Sequence, residues 1–277
     1  MQKYSFYAAI GLLILFVLTA LVGPYLIEHD PLRGSLRARL DPPFWIEGGS
    51  IEHILGTDRL GRDMLARLVQ GARISLAVCV VVIGIAGSIG TAIGTFSGYV
   101  GGWVDRLLMR IVDLALSLPV ILLALLIGAI SGPSFANIVI VISLVLWSQY
   151  ARMSRGEALR VKNEDYVALA RTSGLGHGMI IFRHILPNIA PSLIVVATLQ
   201  VGVVIVLEAS LSFLGVGVPP PNPSWGSMVA DGRGLVVTAW WISLFPGIAI
   251  LLVVMAVNIV GDALTDRINP ALRGRTA

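Results

Sequence analysis

Residues 74–104 read ISLAVCVVVIGIAGSIGTAIGTFSGYVGGWV and contain no charged side chain. Because about 20 consecutive apolar residues are enough to cross a bilayer as a helix, this stretch predicts a membrane-spanning helix. The run also contains Gly90, Gly94, Gly98 and Gly102, each four positions apart. Glycines at this spacing lie along one side of a helix and let the backbone of a second helix approach closely. We therefore interpret the four glycines as a helix-packing ridge.

The composition of the whole chain extends this interpretation. Of its 277 residues, 56% are hydrophobic and only 13% are charged, and the mean hydropathy is +0.86. A soluble domain needs more charges than this to cover its surface, so we predict an all-α integral membrane protein. The net charge of +4 is modest and forms no basic stripe, which argues against nucleic-acid binding. The single cysteine, Cys79, cannot form a disulfide within the chain.

Six membrane-spanning helices are predicted along the chain. They are residues 6–27, a helix within 74–104, residues 107–130, 135–151 and 190–214, and a helix within 234–261. The first apolar run is longer than the core of a usual signal peptide, so it predicts an uncleaved helix. The spans divide the chain into an N-terminal helix with an outer loop (residues 1–70), a transmembrane domain (71–262) that includes a loop at 156–188, and a short tail (263–277).

Arginine and lysine residues indicate the orientation of these spans, because cytoplasmic loops of membrane proteins carry an excess of them. The loop between the fourth and fifth predicted spans contains Arg152, Arg155, Arg160, Lys162, Arg171 and Arg183. With six spans, this loop and both termini lie on one side, which we predict to be cytoplasmic. Residues 28–71, on the opposite side, also carry several arginines among acidic residues, so charge supports this orientation but leaves both orientations open.

The segment before the second span shows a helical pattern of its own. Asp58 is followed by apolar residues at helical spacing, and Gly71 stands where such a helix would end. We interpret Asp58 as an N-cap and the segment as a short amphipathic helix, which would form a structural elbow leading into the second span.

The loop at 156–188 is the least lipid-like part of the second half of the chain. Residues 160–188 read RVKNEDYVALARTSGLGHGMIIFRHILPN and predict two short helices, at 164–172 and 179–185. Gly174 and Gly176 would separate the helices, and Pro187 would end the second one. Small and apolar residues in this loop would allow close docking against another protein. A connector lying on the lipid headgroups explains the pattern nearly as well.

This loop resembles the cytoplasmic-loop motif of binding-protein-dependent ABC importer permeases. That motif is Glu-Ala-Ala, three residues, Gly, nine residues, then Ile-x-Leu-Pro. Four residues match at the expected spacing: Ala170, Gly174, Leu186 and Pro187. Three depart from it: Ala168 replaces the Glu, Leu169 the first Ala and His184 the Ile. Ala170 and Gly174 are the small residues that would allow close docking, and both match the motif. The departures affect only a contact that would depend on the Glu of the motif.

Four other segments resemble the dipeptide, oligopeptide and nickel branch of this family. They are residues 55–63 (LGTDRLGRD), 208–217 (EASLSFLGVG), 219–226 (PPPNPSWG) and 258–262 (NIVGD), the last followed by Asp266 and Asn269-Pro270. They occur in the family's order after residue 55, and the chain is most similar to the C-type permeases of dipeptide importers. The resemblance implies the type I ABC importer permease fold, with six transmembrane helices and short cytoplasmic coupling helices.

The resemblance also implies partners and cofactors. A permease of this kind pairs with a second homologous permease in the lipid of the bacterial cytoplasmic membrane, receives substrate from an extracytoplasmic binding protein, and docks two ATPases that bind ATP and Mg²⁺. This chain has no phosphate-binding loop of its own, because neither lysine follows a glycine. The implied docking residues are Tyr166, Val167, Ala168, Ala170, Gly174, Leu175, Leu186 and Pro187. No catalytic group and no metal-ligand spacing is recognised in the sequence.

Two polar residues inside predicted spans are candidates for lining the pathway, Gln200 and Glu208. An acidic group at the bilayer centre is costly, so Glu208 should face protein or a watery path. A structural pair or a cap near the outer interface is the alternative for Glu208. The transported substrate stays open: dipeptides or oligopeptides are predicted, with nickel, glutathione or an opine as alternatives. A secondary transporter is a rival, although the sequence shows no internal repeat.

Overall fold

A computed structural model of the chain describes residues 2–268. Its α-helices are α1 (Gln2–Leu21), α2 (Gly23–Leu26), α3 (Met64–Val100), α4 (Gly102–Ser117), α5 (Val120–Ser131), α6 (Phe135–Val161), α7 (Asp165–Thr172), α8 (His177–Ile180), α9 (Leu186–Phe213), α10 (Trp225–Gly232) and α11 (Trp241–Ile268). Short 3₁₀ turns lie at Leu36–Ala38, Ile51–His53 and Arg233–Leu235, and a π-helical segment at Ile181–Ile185 joins α8 to α9. Between residues 2 and 268 the only β-structure is two isolated bridges, so the all-α prediction is confirmed. The motif residues Asn269 and Pro270 and most of the predicted tail lie outside the described residues.

Within residues 2–268, five helices are long and apolar enough to cross a membrane: α1, α3, α6, the continuous helix His177–Phe213, and α11. α4 and α5 count as a sixth span only when they are taken together as one broken span, because their axes differ by 80°. The corner lies at Leu118, whose backbone is extended (φ −78°, ψ 126°), and Pro119 follows it. Proline disfavours the helical conformation for the residue before it. The predicted third span, residues 107–130, is therefore two helices with a sharp corner.

In the second half of the chain, one predicted span belongs to a longer helix and one predicted helix end was wrong. The predicted fourth span, residues 135–151, lies within α6, which continues to Val161 through good helix-forming residues. Pro187 does not end a helix, since the chain stays helical from His177 to Phe213. Pro187 lies in the first turn of α9, next to the π-helical segment, where a missing backbone N–H is tolerated.

The predicted amphipathic helix before the second span is also corrected. Asp58 caps no helix; its carboxylate accepts hydrogen bonds from the backbone N–H groups of Leu60 and Arg62 at 2.8 and 3.0 Å. The N-cap is Asp63, which accepts from Ala66 N–H at 2.7 Å. The helix that begins there is α3 itself.

The first of two compact units contains residues up to 80, 124–139 and 201–260. Two buried tryptophans connect segments of this unit: Trp225 of α10 donates from Nε1 to Leu68 O of α3 at 2.9 Å, and Trp241 of α11 donates from Nε1 to Thr57 O, in the loop before α3, at 3.0 Å. Gly71 lies against the Trp225 ring, and a Cβ at Gly71 would come within 2.7 Å of it. Gly71 therefore lies within α3, where it makes room for the Trp225 side chain, and it does not end a helix.

The second unit contains, among the described residues, 81–123, 140–200 and 261–268. Within it, α3 and α6 touch through their backbones. A Cβ added to Gly90, Gly94 or Gly98 would lie 2.2, 2.1 or 2.7 Å from a carbonyl oxygen of α6. The glycine ridge therefore allows the close approach that its spacing predicted.

Gly102 does not belong to this ridge. α3 ends at Val100, and Gly101 and Gly102 both have positive φ angles, of 72° and 63°. A Cβ at Gly102 would meet nothing within 4 Å. Gly102 forms the turn into α4, because positive φ is readily adopted only by glycine.

Two ion pairs attach α4 to α6 and differ in their burial. Asp105 accepts two hydrogen bonds from Arg155, at 2.5 and 2.6 Å, and its side chain is 12% exposed. Asp113 accepts one from Arg152, at 2.8 Å, and both of these side chains are more than half exposed. Bidentate pairs shielded from water are much stronger than exposed ones.

We expect Asp105→Asn to lower the free energy of unfolding of the detergent-solubilised protein by about 1.5–3 kcal/mol, the value of a hydrogen bond to a charged group. Asp113→Asn on the same helix is the matched control and should cost at most about 1 kcal/mol. Thermal unfolding of both variants measures the difference. Equal losses of stability in the two variants would contradict the assigned importance of the Asp105 pair.

Candidate functional site

The loop between α6 and α9 is built around a tight helix end. α7 begins after Glu164 and ends at Thr172. Gly174 follows with a φ of 79°; its N–H donates to Arg171 O at 3.0 Å, and Leu175 N–H donates to Ala170 O at 3.1 Å. These two bonds form a Schellman motif, which needs a left-handed residue at the glycine position. The glycine predicted for close docking thus has a structural reason of its own.

One side of this loop is anchored inside the second unit. A buried apolar cluster contains Val167 and Ala170 of α7, Ile180 of α8, Ile185 and Ile189, together with Tyr99, Ala158 and Val161 at the ends of α3 and α6. Leu175 and Leu186 pack against this cluster and are half-buried. Four of the predicted docking residues therefore hold the loop in place and are not on its free surface. The sequence motif did not distinguish these anchoring residues from surface residues.

The other side of the loop is exposed and apolar. Leu169 is 66% exposed, Met179 53%, Phe182 73% and Tyr166 41%. Three predicted docking residues, Ala168, Gly174 and Pro187, are exposed as well. Leu169 and Met179 were missed by the sequence analysis, although Leu169 lies two positions from buried Val167 and so points to the other side of α7. Exposed apolar patches of this kind mark interaction sites.

Glu208 is enclosed within the first unit and is only 1% exposed. Its two carboxylate oxygens accept hydrogen bonds from Ser212, one turn later on α9, at 2.8 Å, and from Ser75 of α3 at 3.3 Å. The side chain thus joins α9 to α3 and is shielded from solvent. Its environment fits the structural role that the sequence left as an alternative to pathway lining.

We expect Glu208→Ala to reduce the free energy of unfolding by about 1–3 kcal/mol, because it leaves two buried hydroxyls without their acceptor. Glu208→Gln keeps the shape and an acceptor oxygen and should cost much less. Melting temperatures of the two purified variants check this. If Gln proves as damaging as Ala, the negative charge of Glu208 is required and the hydrogen-bonding explanation is wrong.

Gln200 lies in the second unit and is 6% exposed. Its Nε2 donates to Oε1 of Gln149 on α6 at 2.6 Å, while its own Oε1 has no partner among the described residues. Gln149 is exposed although α6 is apolar enough to span a membrane. A polar amide on the outside of such a helix faces protein or water in preference to lipid.

Histidine, cysteine and acidic side chains do not gather into a metal site anywhere in the described part of the chain. The surface that distinguishes this protein is instead the anchored loop with its exposed apolar side. Residues 90–274, which include this loop, match the model of the family described as binding-protein-dependent transport system inner membrane component. The chain belongs to that family.

Relatives of this permease have names that are more specific. It is 41% identical to the di/tripeptide transport system permease protein DppC of Pseudomonas aeruginosa, over 94% of this chain and 86% of the relative. It is 43% identical to the dipeptide transport system permease protein DppC of Escherichia coli K12, over 96% and 89% of the two chains. Matches that cover 94% and 96% of this chain extend well beyond the family region at 90–274.

The fold agrees with a solved transporter. A chain of the MetNI methionine ABC transporter in an inward-facing conformation superposes with a TM-score of 0.62, covering 74% of this permease and 98% of that chain at 18% sequence identity. The type I ABC importer permease fold implied by the sequence motifs is confirmed. At this level of identity the similarity concerns the fold alone.

Proposed function

We propose that this permease is the C-type subunit of an ATP-driven importer of dipeptides or oligopeptides. It forms the translocation pathway with a second, homologous permease, and an extracytoplasmic binding protein delivers the substrate. Two ATPase subunits, which bind ATP and Mg²⁺, dock on the cytoplasmic loops of the permease pair. The observation that carries the proposal is that one side of the loop at 156–188 is anchored in a buried cluster, while its other side is exposed and apolar. The names of the relatives support a peptide as substrate.

The construction of the loop suggests how ATP binding is coupled to transport. A ligand shifts a conformational equilibrium only through its different affinity for two states, and here ATP favours the closed ATPase dimer. Closure displaces the docked side, formed around Tyr166 and Leu169. The buried cluster around Val167 and Ala170 then carries the displacement to the helix ends, because a close-packed interior moves as a body.

The first experiment is purification of the complex from gently solubilised membranes, with its partners identified by mass spectrometry. Two ATPase chains and a second permease are the expected result. The reconstituted complex is then tested for ATP-dependent uptake of dipeptides, nickel, glutathione and opines. Recovery of a lone chain under conditions that preserve known complexes would contradict the proposal and favour a secondary transporter. Uptake of another substrate in place of peptides would contradict the peptide assignment only.

The loop at 156–188 and both termini are proposed to lie in the cytoplasm. The only natural cysteine, Cys79, is buried, so a single introduced cysteine can report on accessibility. Asn163→Cys, at an exposed loop position, should react with a membrane-impermeant maleimide only after the cytoplasmic face is opened. Labelling of intact cells from outside would reverse the orientation.

We also infer that Gln149 and Gln200 lie on the translocation pathway. Peptides carry backbone N–H and C=O groups that need partners inside a membrane, and the exposed Gln149 amide can supply them. Gln149→Leu should lower peptide uptake about 2- to 10-fold, the effect of one hydrogen bond, with ATPases still bound. Gln149→Asn, which keeps an amide, should retain more activity. Unchanged uptake by Gln149→Leu would remove these residues from the pathway.

A further inference from the structure

Tyr99 stands in the last turn of α3 and is 6% exposed. Its hydroxyl lies 2.8 Å from Nδ1 of His177, so the two groups share one hydrogen bond. His177 is the first residue of α8, 78 positions away along the chain. The guanidinium carbon of Arg171, in the last turn of α7, lies 5.1 Å from the centre of the Tyr99 ring, within the range of a cation–π contact.

Lys162 strengthens the same connection from the end of α6. Its Nζ donates to the carbonyl oxygens of Gly98 and Tyr99, at 2.8 and 3.3 Å. The last carbonyls of a helix have no partner within the helix and carry a partial negative charge, so a lysine at this position satisfies and stabilises them. Polar groups from three successive segments of the loop therefore meet on two adjacent residues of α3.

The apolar cluster alone would not fix this geometry. Hydrophobic attraction is non-directional, so the cluster packs the loop against the helix ends without specifying the angle at which α7 and α8 meet α3. A hydrogen bond requires a short distance and a suitable angle. The Tyr99–His177 bond and the Arg171 contact lie on either side of the turn at Gly174 and hold both α7 and α8 to one aromatic ring.

We infer that Tyr99 is a positioning residue that joins the docking loop to α3, so that movement of the docked loop displaces the end of that helix. The inference rests on the proposed function. Tyr99 touches neither ATP nor substrate; it acts through His177 and the loop. Removing its hydroxyl should leave the loop folded, since the ring keeps its place in the apolar cluster, but should loosen the mechanical connection.

The test compares Tyr99→Phe, His177→Ala and the double variant in the complete complex reconstituted into proteoliposomes. We expect ATPase co-purification to be unchanged and ATP hydrolysis to persist, while peptide transported per ATP hydrolysed falls about 2- to 10-fold in each single variant. The double variant should be no worse than either single one, because both remove the same bond. His177→Gln, which keeps a donor and an acceptor, should recover part of the ratio.

Tyr150→Phe is the matched control, because it removes a buried hydroxyl of the second unit that has no partner among the described residues. A normal transport-to-hydrolysis ratio in Tyr99→Phe would overturn the inference. So would multiplied losses in the double variant, or loss of the ATPases in step with transport, which would assign Tyr99 to folding of the loop. Failure of the unmodified complex to couple ATP to uptake would overturn the proposed function itself and this inference with it.

Discussion

Leu169→Glu is expected to release the ATPase subunits and abolish transport. Leu169 is 66% exposed on α7, within the apolar outer side of the loop. A carboxylate there costs nothing in the free permease but must lose its water when the surface is covered. Residues at the centre of an interface contribute 2 kcal/mol or more, so docking should weaken at least about 30-fold. The ATPase recovered per permease, together with ATP-dependent uptake, measures the effect.

Leu169→Met is the control at the same position, since it keeps an apolar side chain of similar size. It should bind the ATPases as the unmodified permease does. Both variants should reach the membrane in equal amounts, because the side chain is not part of the buried cluster. Normal recovery of ATPases with Leu169→Glu would show that the exposed side of α7 is not the docking surface.

Gly94→Ala is expected to destabilise the permease, although it adds a single methyl group. The new Cβ would lie 2.1 Å from Ala151 O and 2.9 Å from Ala151 Cα, and these are backbone atoms that no rotamer change can move. α3 and α6 would have to separate, so the loss should reach or exceed the 1–3 kcal/mol typical of overpacked interiors. Gly94→Leu should prevent folding. The melting temperature and the yield of monodisperse protein are the measurements.

Gly84→Ala provides the opposite expectation on the same helix. Gly84 is exposed, and a Cβ there would meet nothing within 4 Å. Because glycine inside a helix costs about 0.5–1 kcal/mol relative to alanine, this variant should be as stable as the natural protein or slightly more stable. Similar melting temperatures for the two alanine variants would disprove the close contact between α3 and α6.

Much of the fold could be predicted because its causes are local. The uncharged run at 74–104 has to contain a membrane helix, since its backbone polar groups find partners in lipid only within a helix. The spacing of Gly90, Gly94 and Gly98 predicted a close helix contact, and Gly174 was recognised through its motif. The helix ends were less predictable: α6 continues past residue 151, because a run of good helix-forming residues extends a helix beyond its apolar part.

The candidate site, too, was predictable only in its local features. The sequence predicted a docking loop, but it assigned to one docking surface both anchoring residues, such as Val167 and Ala170, and exposed ones, such as Tyr166. Which side of α7 is buried depends on where the ends of α3 and α6 lie. The positions of those helix ends cannot be read from the sequence of the loop. Leu169 was noted only as a departure from the motif, and the structure gives it the most exposed position on α7 among the large apolar residues.

The sequence by itself determined that this is a helical membrane protein of the permease family, and it predicted a docking loop at 156–188, because hydrophobicity, charge and glycine geometry are properties of short segments. Only the tertiary structure decided what those segments touch. Ser75 bonds to Glu208 across 133 positions, and Tyr99 to His177 across 78. Such contacts form when distant helices pack to within hydrogen-bonding distance, and that distance is fixed by the packing of the whole unit.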